Sequence, residues 1–313
     1  MIMFKNGDIV KVLIPNVINS GYDYRLTVNA DIGDFVRVTV MNKQYIGVIV
    51  GVGASNLDAT KIKPIIEKCN LGHLSSVDID WIYKMSGWTL MAPGAVLRLV
   101  INVPDAFNPP KYEPLYTFNF EHKSKITEAQ QRVADAFQSN DNDAMSVNDI
   151  MNISHVSNSV IKTMIKNNVL VLSDRRAKEE KDFVHEYHDM GNIVLNSEQQ
   201  AAANTIADAL DKNEFSVYLL DGITGSGKTQ VYFDAALRAY NSGKSVLLMM
   251  PEIALTAQFM DRFKQRFGNP PVVWHSNLTS ARRRNIWRGV ARGDIRIVVG
   301  TRSALFLPWQ TLG

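Results

Sequence analysis

Gly222-Ile223-Thr224-Gly225-Ser226-Gly227-Lys228-Thr229 fits the pattern G-x-x-x-x-G-K-T, and its reading decides the fold. Phosphate binding requires this spacing. Glycines let successive backbone amides close around a β-phosphate, and Lys228 offers a mobile ammonium to the β- and γ-phosphates. Thr229 supplies a hydroxyl to Mg²⁺, and a helix that starts here points its positive end at the anion. A glycine turn with an incidental lysine would need no particular surroundings. Here an apolar run, Ser216–Leu220, reads as a strand before the loop, and Gln230–Tyr240 reads as a helix after it.

Working outward, strands and helices alternate from Leu195 onward. Ser245–Met250, Val272–Trp274 and Ile295–Val299 read as strands, with helices at Thr256–Phe267 and Leu278–Ala291. That rhythm predicts a doubly wound parallel sheet, unfinished at Gly313. Such sheets place ligand loops at the carboxyl ends of their strands. Pro251-Glu252-Ile253-Ala254-Leu255-Thr256 and Gly300-Thr301-Arg302-Ser303-Ala304 fall there, and short loops with Thr, Arg and free amides suit a phosphodiester backbone. Upstream, Gln199 stands where many helicases hold a glutamine that reads adenine, although Ser197-Glu198-Gln199-Gln200 is also a good helix start.

The earlier sequence divides in two. Residues 1–104 are β-rich, with β-branched runs at Asp8–Ile14, Asp34–Val40 and Tyr45–Val52 in the pattern of a small barrel. A helix at Asp78–Ser86 follows, then apolar Ala95–Val103. Pro104–Pro114 reads as a linker. In 105–190, Thr127 caps a helix running to about Gln138, Ser146–Met151 and Ser157–Lys166 form two short helices, and Val169–Leu172 a strand. Together these suggest a winged helix-turn-helix. A domain of residues 191–313 then carries the P-loop.

Composition narrows the partners. The 313 residues carry a net charge of +3, which is compatible with nucleic acid without demanding it. Six arginines (Arg282, Arg283, Arg284, Arg288, Arg292 and Arg296) crowd one short stretch. Such a strip is a solvated helix face or, in a nucleotide-hydrolysing domain, a phosphate-facing one. Trp274 and Trp287 read as core. The lone cysteine, Cys69, allows neither an internal disulfide nor a thiolate zinc cage, and the cytosol is the simplest compartment. Lys5, Asp8 and Lys11 break up any signal-peptide core, and apolar runs such as Val246–Met250 are strand-sized, so no membrane partner is expected.

Asp221–Thr229, Pro251–Thr256, His275-Ser276 and Gly300–Phe306 together resemble, in order and spacing, the motif set of the PriA-type primosomal helicases (primosomal protein N′). The resemblance implies a fold of several domains: a small β-rich domain that binds DNA ends, a winged helix and an incomplete RecA-like α/β P-loop lobe. It implies a superfamily 2, 3′-to-5′ ATP-dependent DNA helicase that recognises stalled or collapsed forks and initiates primosome assembly. Its cofactors would be ATP and Mg²⁺. Its partners would be branched DNA, nascent-strand 3′ ends, single strands, primosome proteins and single-strand DNA-binding protein. By position, Gln199 would read adenine, and Gly222, Thr224, Gly225, Ser226, Gly227, Lys228 and Thr229 would hold the nucleotide, Thr229 through Mg²⁺. Glu252, Thr256, His275, Ser276, Thr301 and Arg302 would lie along the single strand. Gln230 stands where the family usually has Glu.

Tyr22-Asp23-Tyr24, Gly47–Val50 and Lys63–Glu67 resemble the family's domain for capturing a 3′ end. Asp23 would accept from a terminal 3′-hydroxyl, Tyr22 would stack on the last base and Lys63 would pair a phosphate. The bland reading, that Asp23 closes a turn, stands beside it. Met41-Asn42-Lys43 replaces the family's usual P-F-G in the following loop. The winged helix serves DNA or protein equally well on these residues.

The family's acidic D-E-E-H motif, second lobe and cysteine-rich zinc insertion do not occur in this sequence. The expectation is therefore an N-terminal fragment with no catalytic acid of its own, which binds DNA but neither hydrolyses ATP nor unwinds at a useful rate. The alternative is a catalytically dead DNA-end-binding protein from a truncated gene.

Overall fold

Apolar alternation in the first hundred residues yields β1 (Met3–Phe4), β2 (Ile9–Leu13), β3 (Tyr22–Arg25), β4 (Ala30–Asp31), β5 (Asp34–Val40), β6 (Lys43–Val52) and β7 (Glu67–His73) in a computed structural model of the chain. The structure describes residues 3–17, 20–54, 61–109, 112–121, 127–140, 143–177, 186–191, 194–212 and 215–313. An antiparallel sheet runs in the order β3-β2-β6-β5-β7, and β1 pairs with β4. Successive side chains leave a strand on opposite faces, so β5 serves two cores. Val36 and Val38 pack with Val10, Val12 and Ile49, while Phe35 joins Leu13 and Val48 on the other side.

Two helices cover that second face. α1 (Ser76–Thr89) starts with a capping box in which Ser75 and Asp78 satisfy each other's backbone amides. α2 (Pro93–Val100) starts with Pro93 in its first turn, where a missing N–H costs nothing. Ile79, Ile82, Val96, Leu97 and Val100 bury against Phe35 and its neighbours.

The middle of the chain is a separate compact unit, residues 109–180. It holds β8 (Tyr112–Phe118), α3 (Glu128–Ser139), β9 (Met145–Ser146), α4 (Val147–Ser154), α5 (Asn158–Lys166) and β10 (Leu170–Ala177). The sheet order is β10-β8-β9, all antiparallel. Phe118, Val133, Phe137, Ile150, Ile161, Met164 and Leu170 make its core. The expected linker Pro104–Pro114 is only partly irregular. Pro104–Phe107 forms a 3₁₀ turn and β8 begins at Tyr112, because β10, some sixty residues later, supplies the backbone partners that no local window reveals.

The P-loop segment gives α6 (Ser197–Lys212), α7 (Lys228–Asn241), β11 (Val246–Met249), α8 (Ala257–Phe267), β12 (Val272–Trp274), α9 (Ser280–Arg292) and β13 (Ile297–Gly300). The expected parallel sheet forms, in the order β11-β13-β12. Ser216–Leu220, expected as a strand, is not one. Phe215, Val217 and Leu219 are 94%, 82% and 94% exposed. A parallel strand is held by hydrogen bonds to its neighbours. β11 pairs with β13 on one side; on the other its first residue neighbour, Ser245, makes a parallel bridge to Leu312. Among the described residues Ser216–Leu220 pairs with no strand, and the edge of β11 beyond that bridge stays open.

Residues 1–108 and 181–313 form one compact unit, so the first and third segments read from the sequence are not independent bodies. Trp287 of α9 is fully buried, with its ring centroid 4.8 Å from that of Phe107 and 6.0 Å from that of Phe35. Its indole N–H donates to the Val100 carbonyl at 3.0 Å. β7 reaches α9 closely enough that a Cβ on Gly72, whose φ is +62°, would lie 2.7 Å from the Ala291 carbonyl oxygen. Only glycine satisfies both the backbone angle and that approach.

Candidate functional site

The P-loop occupies the turn into α7. Gly225 and Gly227 take φ of +85° and +81°, the left-handed conformation that lets consecutive amides curl inward. Gly227 is the residue before the helix, so the first free amides of α7 open onto the loop. Lys228 Nζ donates to the Gly222 carbonyl and, at 2.9 Å, to that of Ile223, so the ammonium sits over the loop mouth. Asp221 Oδ1 accepts from Gly222 N at 2.8 Å and steadies the loop's entry. Thr224 and Ser226 are loop residues and Thr229 lies in the first turn of α7. The curled loop, the lysine and the helix start suit a nucleotide's phosphates.

Gln199 lies against this loop. Its Nε2 donates to the Ser226 carbonyl at 2.8 Å, and its Oε1 accepts from Asn196 N at 3.0 Å. Asn196 Oδ1 accepts in turn from Gln199 N, a reciprocal cap for α6. The cap and the glutamine are thus one local structure, and it couples α6 to the P-loop.

The motif loops converge at the carboxyl edge of the parallel sheet. Met249 to Glu252 and Thr301 to Ser303 line a cleft of about 700 Å³. Glu252, in the 3₁₀ turn after β11, accepts from Ser276 Oγ at 2.8 Å. Thr301 N donates to the Trp274 carbonyl at 3.1 Å, and Thr301 and Ser303 hydroxyls lie 3.3 Å apart. His275 Nδ1 accepts from Asn277 N at 3.2 Å, shaping the loop after β12. Thr256 points elsewhere: its hydroxyl caps α8 by accepting from Phe259 N. The structure therefore gathers Glu252, Ser276, Thr301 and Arg302 around this edge and gives Thr256 a helix-capping job.

A second cleft, of about 390 Å³, brings Tyr22, Asp23 and Lys63 together. Asp23 Oδ1 accepts from Ala54 N at 3.1 Å, so the carboxylate also ties β3 to the chain leaving β6, rather than closing a local turn. Sequence reasoning missed Lys61 in the lining, although it flanks buried Ile62 on the same side as Lys63. It also left the replaced loop open. Met41 and Asn42, at φ of +44° and +68°, make a two-residue hairpin between β5 and β6, and Met41 forms a wall of the cleft.

Three of the six arginines of the strip are held within the fold, which corrects the phosphate-facing reading for Arg288 in particular. Arg288 is buried, and its guanidinium donates to the Ala106 carbonyl at 2.7 Å and the Asn108 carbonyl at 2.5 Å. Arg296 lies 3.9 Å above the Tyr240 ring and donates to that residue's carbonyl. Arg283 stacks 5.2 Å from the Trp274 ring. Hydrophobic packing of Ile286, Trp287 and Val290 turns that face of α9 inward and takes Arg288 with it.

No group of three or more potential metal-ligating side chains occurs among the described residues, and no helix among them is long and apolar enough to cross a membrane.

Fold and site define an α/β lobe with a P-loop that shares its core with a small β domain carrying a basic-rimmed cleft. Residues 192–311 match the family described as type III restriction enzyme, res subunit, and residues 11–102 match the 3′ DNA-binding domain (3′BD). Replication restart protein PriA of Rickettsia conorii is 30% identical over 308 residues, covering 97% of this chain and 36% of the relative. The protein of that name from Chlamydia trachomatis serovar D is 28% identical over 325 residues, 97% of this chain and 42% of its own length. That of Bacillus subtilis is 38% identical over 157 residues, 50% of this chain and 20% of the relative. The chain is similar to these replication restart proteins PriA, and it spans less than half of their length.

Proposed function

We propose that this chain supplies the DNA-end-recognising domain and the nucleotide-binding lobe of an ATP-dependent 3′-to-5′ DNA helicase that recognises stalled or collapsed forks and initiates primosome assembly. The observation that carries this reading is the gathering of Tyr22, Asp23 and Lys63, which are scattered over some forty residues of sequence, around one cleft. Asp23 accepts from the 3′-hydroxyl, Tyr22 stacks on the terminal base and Lys63 pairs a phosphate. In the lobe, Gly222, Thr224, Gly225, Ser226, Gly227 and Lys228 hold the phosphates, Thr229 holds Mg²⁺ and Gln199 reads adenine. When bound, ATP supplies the free energy for strand movement. Thr301, Arg302 and His275 take the phosphodiester backbone at the sheet edge. Residues 109–180 act as a winged helix, a role supported by their three helices on a small antiparallel sheet.

The test is binding to a labelled fork ending in a 3′-hydroxyl, against the same fork ending in a 3′-phosphate. Preference for the hydroxyl, lost in Asp23→Ala, supports the end-capturing cleft; equal binding to both forks removes it. Nucleotide binding is read separately: Lys228→Ala is expected to weaken ATP binding at least about tenfold, through loss of charge-assisted hydrogen bonds.

A further inference from the structure

Glu252 is an acid at the rim of a cleft proposed to take a polyanion, and its own geometry argues against contact with the strand. Its carboxylate accepts from Ser276 Oγ at 2.8 Å. Glu252 follows β11 and Ser276 follows β12, and these two strands are not neighbours, because β13 lies between them. The bond therefore passes over the carboxyl end of β13, where Gly300 and Thr301 begin the third motif loop. That loop is itself fastened beneath, by Thr301 N to the Trp274 carbonyl and Met250 N to the Gly300 carbonyl. The side chains of Glu252 and Ser276 are both exposed, and their bond joins the two loops directly at the rim.

We infer that Glu252 is a positioning residue. It clips the loop after β12 to the loop after β11, and so sets the rim across which a phosphodiester backbone lies. The clip needs a hydrogen-bond acceptor and does not need a charge. The negative charge itself opposes phosphate binding at this edge.

This rests on the single-strand groove proposed above, so its test has two readouts on the full chain. The first is hydrogen–deuterium exchange of the 274–279 segment without DNA. Glu252→Ala and Ser276→Ala are expected to speed exchange there about five-fold, the loss expected for one hydrogen bond, while Glu252→Gln, whose amide oxygen still accepts, leaves it near wild type. The second is affinity for a labelled single-stranded oligonucleotide across a salt series. Glu252→Gln is expected to bind as tightly as wild type or up to about three-fold tighter at low salt, with that gain fading as salt screens it. Glu252→Ala and Ser276→Ala are expected to bind more weakly, and the double variant no more weakly than either single one.

Equal loss in Gln and Ala overturns the inference, because the charge would then be what matters; so does exchange that ignores all the substitutions. A folded wild type that binds no single strand, while exchange follows the expected pattern, removes the groove and leaves the clip standing.

Discussion

The P-loop lobe has two contrasting sides. Against the N-terminal β domain it is sealed: Trp287, Ile286 and Val290 are fully buried, and even Arg288 is 5% exposed with its guanidinium capped by backbone carbonyls. Along the stretch leading to the P-loop it is open, with Phe215, Val217 and Leu219 almost fully exposed. Both stretches read as secondary structure of a parallel α/β fold. The difference lies in partners distant in sequence. α9 finds them in β5, β7 and the turn after α2, about 200 residues earlier, whereas Ser216–Leu220 finds none among the described residues. Local pattern states what a segment is able to form, and packing decides whether it does so.

The largest test of this contrast strikes the sealed side. Trp287→Ala removes a filled core position and an indole hydrogen bond to Val100, and is expected to cost about 3–5 kcal/mol in urea unfolding. Cys69, in the same core, gives an independent readout. Burial pushes its thiol up to about 11 from 9.0, so at pH 8 the folded chain is expected to resist alkylation. Trp287→Ala is expected to raise the labelling rate by on the order of 100-fold, as openings become cheaper. Unchanged labelling would mean that β7 and α9 open independently, and that the shared core is two cores in contact.

Arg288→Ala comes next, at about 2–3 kcal/mol, because it strands the carbonyl of buried Ala106 and removes a second, part-buried bond to the Asn108 carbonyl. Arg288→Lys is expected to recover only part of this, since one ammonium does not reproduce the fork of a guanidinium. If instead Arg288→Ala leaves stability untouched but weakens DNA binding, the residue faces phosphate after all. Smaller again is Thr256→Ala. Loss of the cap on α8 is expected to cost about 1 kcal/mol. If single-strand binding falls without that loss of stability, Thr256 touches the strand rather than the helix.

These particulars show what was legible. The P-loop was readable because its chemistry fixes residue types within eight consecutive positions. The parallel strands were readable because strands buried on both faces are continuous apolar runs. The cleft of the β domain was readable only in part: Tyr22 and Asp23 are adjacent, but Lys61 and Met41 join them through strand pairing that no window contains. Arg288 was misread because charge in a sequence signals surface, and here the flanking Ile286, Trp287 and Val290 decide the face. The Glu252–Ser276 bond was invisible because it joins loops of strands that are not neighbours.

The smallest expected effect tests the open side most directly. Phe215→Ser and Leu219→Ser replace side chains that are 94% exposed, so each is expected to change stability by less than about 0.5 kcal/mol. Apolar groups in this alternating run gain nothing from the described fold, and removing them removes no contact. The measurement is urea unfolding of both variants beside wild type, with the slope compared as well as the midpoint. A loss of 2 kcal/mol or more, on the scale of a buried leucine, would mean that Ser216–Leu220 does pair in solution. β11 would then be the element to examine, since beyond its bridge from Ser245 to Leu312 its free edge still offers backbone groups. The contrast between the two sides would be one of degree, with the entry to the P-loop held by a strand as the sequence suggests.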